Sequence, residues 1–481
     1  MRPSVGGPAR SWLRCASMTP AGPPPVVTPT SVLPRGVLAG YALGSLVTGA
    51  FGTVPGLLLL PYLTDTLGVA AGVSGLLVLI PKAWDVVVNP VAGRISDRRG
   101  SRRPFLLIAG LLLGVLFAAI FAAPFPGGAA SGAYVAFAFL AAATAFAFFQ
   151  VPYVAMPAEL TDGYAERTRL MTWRVAVLAL AILVSGALAP LVVQLTGGGR
   201  EGHRWSGAFV GALIVVGTLA TFLGTRGAES RQAGDSEPSL RAQLRVANGN
   251  APFRALLICW IVQAAGIGTM LAGVKYFADH VLVQESGATF LFAAFVGPAL
   301  LVMPLWTAVG RRHGKLRSLV AASLLFAVAA LALVAAPSLP AVAVYLIVAV
   351  VGAGYAGQQV FALAMLPDCI AHDTARTGRR QAGVFTGLWT AGETLGLALG
   401  PGIYALLLQI FGYASSATGE SAAQSDTARL GVLLGFTVVP ALMVGAAVVL
   451  LRRYDDQARP ASAPVDNSPL WTTEGPAPEK G

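Results

Sequence analysis

Leu76-Leu77-Val78-Leu79-Ile80-Pro81-Lys82-Ala83-Trp84-Asp85-Val86-Val87-Val88-Asn89-Pro90 reads as a membrane-crossing helix interrupted by two charges, Lys82 and Asp85. The apolar run begins near Val69, and just past Ile95 the chain turns polar and strongly basic. An ionised side chain at the centre of a bilayer costs roughly 2.5–3.5 kcal/mol even on lenient insertion scales. A helix that keeps Asp85 there has to hide it inside protein or in a wet cavity. Asp85 and Asn89 are four residues apart and share one helix face, with Lys82 three residues earlier on nearly the same face. That face is the first candidate site.

The composition agrees with a membrane setting. The 481 residues are 55% hydrophobic and 11% charged, whereas soluble domains carry roughly 25% charged residues. Apolar stretches of about 20 residues, the length a bilayer crossing needs, recur along the chain. Twelve spans are expected, at 35–62, 70–95, 104–124, 131–158, 170–196, 206–225, 253–282, 287–309, 317–336, 339–366, 380–411 and 428–451. Of the 33 Lys and Arg residues, all but six lie in the termini or in and beside the loops after spans 2, 4, 6, 8 and 10. The six are Arg200, Arg204 and Arg429 in the opposite loops, and Lys82, Arg174 and Lys275 within spans. The positive-inside rule then puts both termini in the cytoplasm, as an even number of spans requires. The net charge of +11 is therefore a topology signal. Spread over short loops, it does not form the patch a nucleic-acid partner needs. Cys15, Cys259 and Cys369 offer neither a disulfide framework nor metal-ligand spacing, so no metal is expected. The sequence holds no phosphate-binding loop and no catalytic constellation, which argues against an enzyme.

Five segments follow from this pattern. Residues 1–33 and 453–481 are rich in Pro, Ala, Ser and charge and are expected to be disordered cytoplasmic tails, with Met18 an alternative start. Residues 34–225 and 252–452 are two six-helix bundles joined by a polar cytoplasmic linker at 226–251. The halves echo each other. Gly93-Arg-Ile-Ser-Asp97-Arg98-Arg99-Gly100-Ser-Arg102-Arg103 follows span 2, and Gly310-Arg311-Arg312-His313-Gly314-Lys315-Leu-Arg317 follows span 8. Met156-Pro157-Ala-Glu159 opens a charged loop after span 4, and Leu366-Pro367-Asp368 opens one after span 10. Gly314 stands 214 residues after Gly100, and Pro367 stands 210 after Pro157. A duplicated six-helix unit is the signature of a secondary transporter whose site lies between rocking halves.

The motif Gly-x-x-x-Asp-Arg-x-Gly-x-Arg-Arg at 93–103 resembles the loop between helices 2 and 3 of the major facilitator superfamily. Together with Thr64-Asp65-Thr66-Leu67-Gly68, Trp84-Asp85, Val151-Pro152-Tyr153, the Glu166-Arg167-Thr168-Arg169 loop, Arg174 and Arg379-Arg380-Gln381, it resembles the glycoside–pentoside–hexuronide:cation symporter branch. That branch is typified by melibiose permease and also related to animal lysophospholipid transporters. The resemblance spans nearly all of residues 35–452. It implies an all-α fold of twelve transmembrane helices in two pseudo-symmetric bundles.

It also implies roles for particular residues. Asp85 falls where the branch carries a cation-binding Asp, while Asn89 replaces a second carboxylate often found one turn on. Glu393 lies beside a position that usually holds Lys. The Asp residues that bind sugar in helices 1 and 4 correspond to the neighbourhood of Gly49 and to Gln150, so a galactoside substrate is not supported. The expected coupling residues are Asp85, Asn89 and Glu393, with Glu393 also suited to a substrate amine. The expected substrate-binding residues are Arg174, Gln150, Tyr153, Trp173, Gln358, Gln359 and Trp389. Gly93, Asp97, Arg98, Gly100, Arg102, Arg103, Glu166 and Arg167 are expected to form a conformational latch in the cytoplasmic loops.

The function expected is proton- or sodium-coupled symport of a small polar solute such as a glycoside, by a monomer in a bacterial inner membrane. No cofactor other than the coupling ion is expected. The alternatives are a proton-coupled exporter of drugs or amphiphiles on the same fold, and a non-transporting membrane sensor or lipid-handling protein. Asp85, buried at a cost the last would have no use for, weighs against it.

Overall fold

The computed structural model describes residues 33–98, 103–160, 164–226, 245, 248–284, 286–378, 382–416, 423–451 and 454. Most of both tails and of the linker lie outside these residues, as do Gly100 and Arg102 of the expected latch. Leu33, assigned to the N-terminal tail from sequence, is packed instead: it is buried, and its amide donates to Glu166 Oε2 at 3.4 Å.

The chain is almost wholly helical where described. The first half comprises α1 (Arg35–Leu43), α2 (Ser45–Val54), α3 (Ala71–Arg98), α4 (Arg103–Ile120), α5 (Gly128–Leu160), α6 (Tyr164–Leu195) and α7 (Gly199–Gly224). The second comprises α8 (Ala251–Phe277), α9 (Gly287–His313), α10 (Lys315–Ala332), α11 (Ala341–Thr377), α12 (Ala382–Ile410), α13 (Asp426–Phe436) and α14 (Val438–Leu450). Eleven helices among the described residues are long and apolar enough to cross a membrane. The helix α3, which carries Lys82 and Asp85, is not among the eleven, yet its 28 residues extend about 42 Å at 1.5 Å per residue. The count of twelve expected from sequence is thus met but for the span criterion in α3.

The two halves use the same packing plan. In the first, α3 and α4 both pack on α5, α4 packs on α7, and α1 and α2 lie against α6 and α7. In the second, α9 and α10 both pack on α11, α10 packs on α14, and α8 lies against α12 and α14. The duplicated sequence motifs therefore correspond to duplicated packing. Between the halves, α3 meets α12 and α6 meets α9, a pair of contacts related by the same exchange.

Hydrogen bonds that tie the halves together gather at the end remote from the Arg-rich loops. Gly72 N donates to Gln409 Oε1 at 3.2 Å, Ser416 N to Thr64 O at 2.9 Å, and Ser286 Oγ to Gln194 Oε1 at 3.1 Å. The chain reaches this end through two π-helical turns, Pro55–Leu59 at the close of the first span and Tyr62–Thr66 beyond it. Each turn lies at or just after a proline, Pro55 or Pro61, which lacks the amide hydrogen that a regular helix would use. The wider turns bring Thr64 and Asp65 against the second half, where Thr64 Oγ1 meets Tyr276 Oη at 2.6 Å and Tyr413 Oη donates to Asp65 Oδ1 at 2.9 Å.

In the second half, close backbone contact sets the distance between α8 and α12. A Cβ on Gly400 would stand 2.2 Å from the Gly268 carbonyl carbon, and Thr269 Oγ1 donates to Gly400 O at 3.3 Å. Small residues at helix crossings are how membrane helices gain packing and short polar contacts. Gly400→Val is therefore expected to lower stability by about 1–3 kcal/mol, the usual cost of overpacking. Thermal unfolding of the detergent-solubilised protein should show a lower midpoint, and an unchanged midpoint would mean that α8 and α12 can separate freely.

Candidate functional site

Asp85 sits 14 residues into α3, about 21 Å along the helix and so near its middle. It is 3% exposed, and its Oδ1 has no hydrogen-bond partner among the described residues. Lys82 does not close on it as a salt bridge. The Lys82 ammonium lies over the rings of Phe51 and Phe139, 5.0 and 5.9 Å from their centroids, where the π face attracts a cation. This leaves the Asp85 carboxylate within the field of Lys82 and still able to accept a small cation or a proton. Trp84 points another way and donates Nε1–H to Thr144 Oγ1 at 3.1 Å, holding α3 against α5. Asn89 is half-buried one turn beyond Asp85, which keeps its amide on the same face.

A second group lies in the same half. Tyr153 is fully buried, stacks on Tyr41 with centroids 4.8 Å apart, and donates its hydroxyl proton to Tyr41 O at 2.8 Å. The guanidinium of Arg174 lies 5.3 Å from the Tyr153 ring centroid, and Arg174 Nε is buried without a partner. Ser45 Oγ bridges the two residues, 3.0 Å from Tyr153 Oη and 3.0 Å from Arg174 O. Arg174 thus folds onto an aromatic platform. Trp173, one residue earlier, is 53% exposed; neighbours on a helix diverge by about 100°, and Trp173 stays outside this group. Gln150 is half-buried on α5.

The third group belongs to the second half. Glu393 on α12 lies with Gln358, Gln359 and Tyr355 of α11, and with Trp260 and Gln263 of α8, around a small, narrow cleft. Gln359 Nε2 donates to Tyr355 Oη at 2.6 Å, beside Glu393 in the cleft wall. Trp260 and Trp389 stack with centroids 4.9 Å apart and an interplanar angle of 17°. The cleft walls are fixed from outside. Asn250 caps α8 by accepting from Phe253 N at 3.0 Å and donates to Cys369 O of α11 at 2.9 Å, while Gln263 Nε2 donates to Ser323 Oγ at 2.9 Å.

The structure therefore brings together Glu393, Gln358, Gln359 and Trp389, and separately Arg174 and Tyr153. It places Glu393 among residues expected to bind substrate, in the half opposite Asp85. Trp260 and Gln263 were missed in the sequence. Their signal was available only as a Trp and a Gln three residues apart inside an apolar span, a pattern equally suited to helix packing. Of the expected latch, the side chains of Asp97, Arg98 and Arg167 lie outside the described residues, as do the surroundings of Gly93. Arg103 Nη1 donates to Arg226 O at 2.9 Å, and Glu166 pairs with Arg169 at 3.5 Å. The first ties α4 to the residues after α7, the second lies within α6, and in the other half Lys315 of α10 pairs with Asp368 of α11 at 2.7 Å.

A two-bundle helical membrane protein with buried polar groups in both halves is a transporter by architecture. Its sequence matches the family described as MFS/sugar transport protein over residues 40–455, and the chain belongs to that family. It is 24% identical over 433 residues to a putative glycoside/cation symporter of Escherichia coli K12, covering 86% of this chain and 90% of that one. It is 24% identical over 453 residues to the isoprimeverose transporter of Lactiplantibacillus pentosus, covering 91% and 92%. Among solved structures, a D-xylose–proton symporter superposes with a TM-score of 0.65 at 13% identity, covering 88% of this chain and 99% of the other. The protein is a multi-pass membrane transporter and not an enzyme.

Proposed function

We propose that the protein carries a small glycoside-like solute together with a cation across a bacterial inner membrane by alternating access, acting as a monomer with both termini in the cytoplasm. The observation that carries this reading is Asp85, a buried carboxylate with an unpartnered oxygen in the middle of α3. Such a group is expensive in a membrane and marks an ion or proton pathway. The Arg-rich loops support the orientation, which makes the end tied together by Thr64, Asp65, Tyr276 and Tyr413 the outer end. The bacterial relatives named for glycoside and isoprimeverose transport support the solute class.

Asp85 and Asn89 supply the coupling site in this reading, and Arg174, placed by Tyr153 and Ser45, faces the solute from the first half. Protons are favoured over sodium as the coupling ion. Hard cations take several oxygen ligands, whereas among the described residues of its face on α3 Asp85 has the Asn89 amide as its companion oxygen donor. Addition of a transported glycoside to lightly buffered proteoliposomes should therefore make the outside medium more alkaline. Solute uptake without any pH change would contradict proton symport.

A further inference from the structure

The cleft in the second half has a donor and acceptor pattern that points beyond a neutral sugar. Glu393 lines this cleft beside Gln359, and among the described residues it has no Lys, Arg or His as an ion-pair partner. Three further polar atoms of cleft-lining side chains are buried without partners: the acceptor Gln263 Oε1 and the donors Gln358 Nε2 and Trp260 Nε1. Gln263 and Gln358 are each 1% exposed and Trp260 is 3% exposed. A buried polar atom left unpaired costs about 1–3 kcal/mol, so a cluster of them around one cleft calls for a ligand that satisfies them together.

The acceptors and donors are sorted. The acceptors comprise a carboxylate and an amide oxygen, which suits a cationic donor with more than one N–H. The donors are neutral, an amide and an indole, which suits hydroxyl or ether oxygens. Among the described residues there is no group of His, Cys, Asp or Glu able to hold a metal ion, and the aromatic walls, Trp260 backed by Trp389 and Tyr355, favour an organic cation.

We propose that this cleft recognises a protonated amine on a hydroxylated solute, an amino sugar or its glycoside, with the ammonium on Glu393 and Gln263 Oε1 and oxygens on Gln358 and Trp260. The proposal rests on the transporter reading and gives its solute a charge class. It assigns Glu393 to the solute and leaves ion coupling to Asp85.

Binding to the full-length protein in nanodiscs tests it, followed by Trp emission and by calorimetry. Three probes differ at one position: methyl α-D-glucopyranoside, its 2-amino-2-deoxy analogue and the N-acetylated analogue. The wild type should bind the amine at least about tenfold more tightly than either neutral probe, as expected when an ammonium–carboxylate pair replaces a hydroxyl–carboxylate hydrogen bond. Glu393→Gln should abolish that preference, and Glu393→Asp, which retains the charge, should keep a measurable preference. The thermal midpoints of both variants establish that they are folded.

Equal or tighter binding of the neutral probe by the wild type would overturn the proposal. So would an amine preference that survives in Glu393→Gln, or failure of the amine to bind at all. Failure of the transporter reading looks different: no probe would accumulate in proteoliposomes under any ion gradient, whatever its affinity. Gradient-driven accumulation of the neutral glycoside without an amine preference would remove this proposal alone.

Discussion

Asp85→Asn is expected to abolish accumulation of solute against its gradient while leaving exchange of solute for solute across the membrane. The carboxylate is the buried, partly unpartnered group in the middle of α3, and neutralising it removes the charge that a cation or proton must meet. Asn is nearly isosteric, so α3 and α5 have no steric reason to move. The solute contacts proposed above reside on other elements, α6 in the first half and α8, α11 and α12 in the second, so solute exchange should persist. The steady-state accumulation ratio should fall at least about tenfold, a loss of at least 1.4 kcal/mol of coupling. Counterflow of labelled solute should stay within about threefold of wild type, less than 0.7 kcal/mol on the same scale. If both fell together, Asp85 would be holding the fold; if neither fell, coupling would lie elsewhere.

The second large effect concerns the end remote from the Arg-rich loops. Asp65 lies beyond the first membrane span and is 8% exposed between the halves. Burial pushes its carboxyl up to about 7, against the opposing hydrogen bonds from Tyr413 and Thr64. The other titratable groups around it are Tyr276, Tyr404, Asp279 and Lys275, with His280 joined to Tyr413 Oη at 2.9 Å and Arg429 nearby. Lys275 and Asp279 neutralise each other as a close ion pair. When the halves part here, Asp65 meets water and returns toward its ordinary value. A carboxyl raised in the closed form favours closure fully below the ordinary value near 4, and loses that contribution as pH rises through about 7.

Ser416→Cys, placed beside Thr64, reports the opening through labelling by an impermeant maleimide, corrected for the thiol's own pH dependence. Labelling should be at least about tenfold faster at pH 8 than at pH 5.5, the equivalent of one unit of the shift. Asp65→Asn should stay protected at both, and Tyr413→Phe should be faster at both. PH-independent labelling of the parent protein would remove Asp65 as the controlling group.

How far the sequence carried can be traced to what each residue's neighbours had to contribute. Helices were legible because apolar length and the basic loops depend on the bilayer alone, and the duplicated loop motifs announced the duplicated packing. Lys275 and Asp279, four apart, pair as helix geometry requires. Asp85 was legible because its burial cost follows from the span around it. What could not be read were groupings across helices. The i,i+3 spacing put Lys82 and Asp85 on nearly one face, but the rings of Phe51 and Phe139, supplied by two other spans, hold the ammonium. Trp260 and Gln263 join Glu393 only because α8, α11 and α12 converge. Tyr153, expected to touch solute, spends its hydroxyl on Tyr41 O and so serves to place Arg174.

The central claim is that a buried carboxylate on α3 couples solute movement to a cation. Its most direct measurement is solute accumulation by the wild-type protein in proteoliposomes with an imposed inward proton gradient, an imposed sodium gradient, or neither. The account predicts concentration of a glycoside or amino-glycoside above the external level under the proton gradient, collapse of that accumulation by a protonophore, and its absence in Asp85→Asn. Accumulation driven by sodium and indifferent to the pH gradient would contradict the proton assignment, and full accumulation by Asp85→Asn would contradict the site itself.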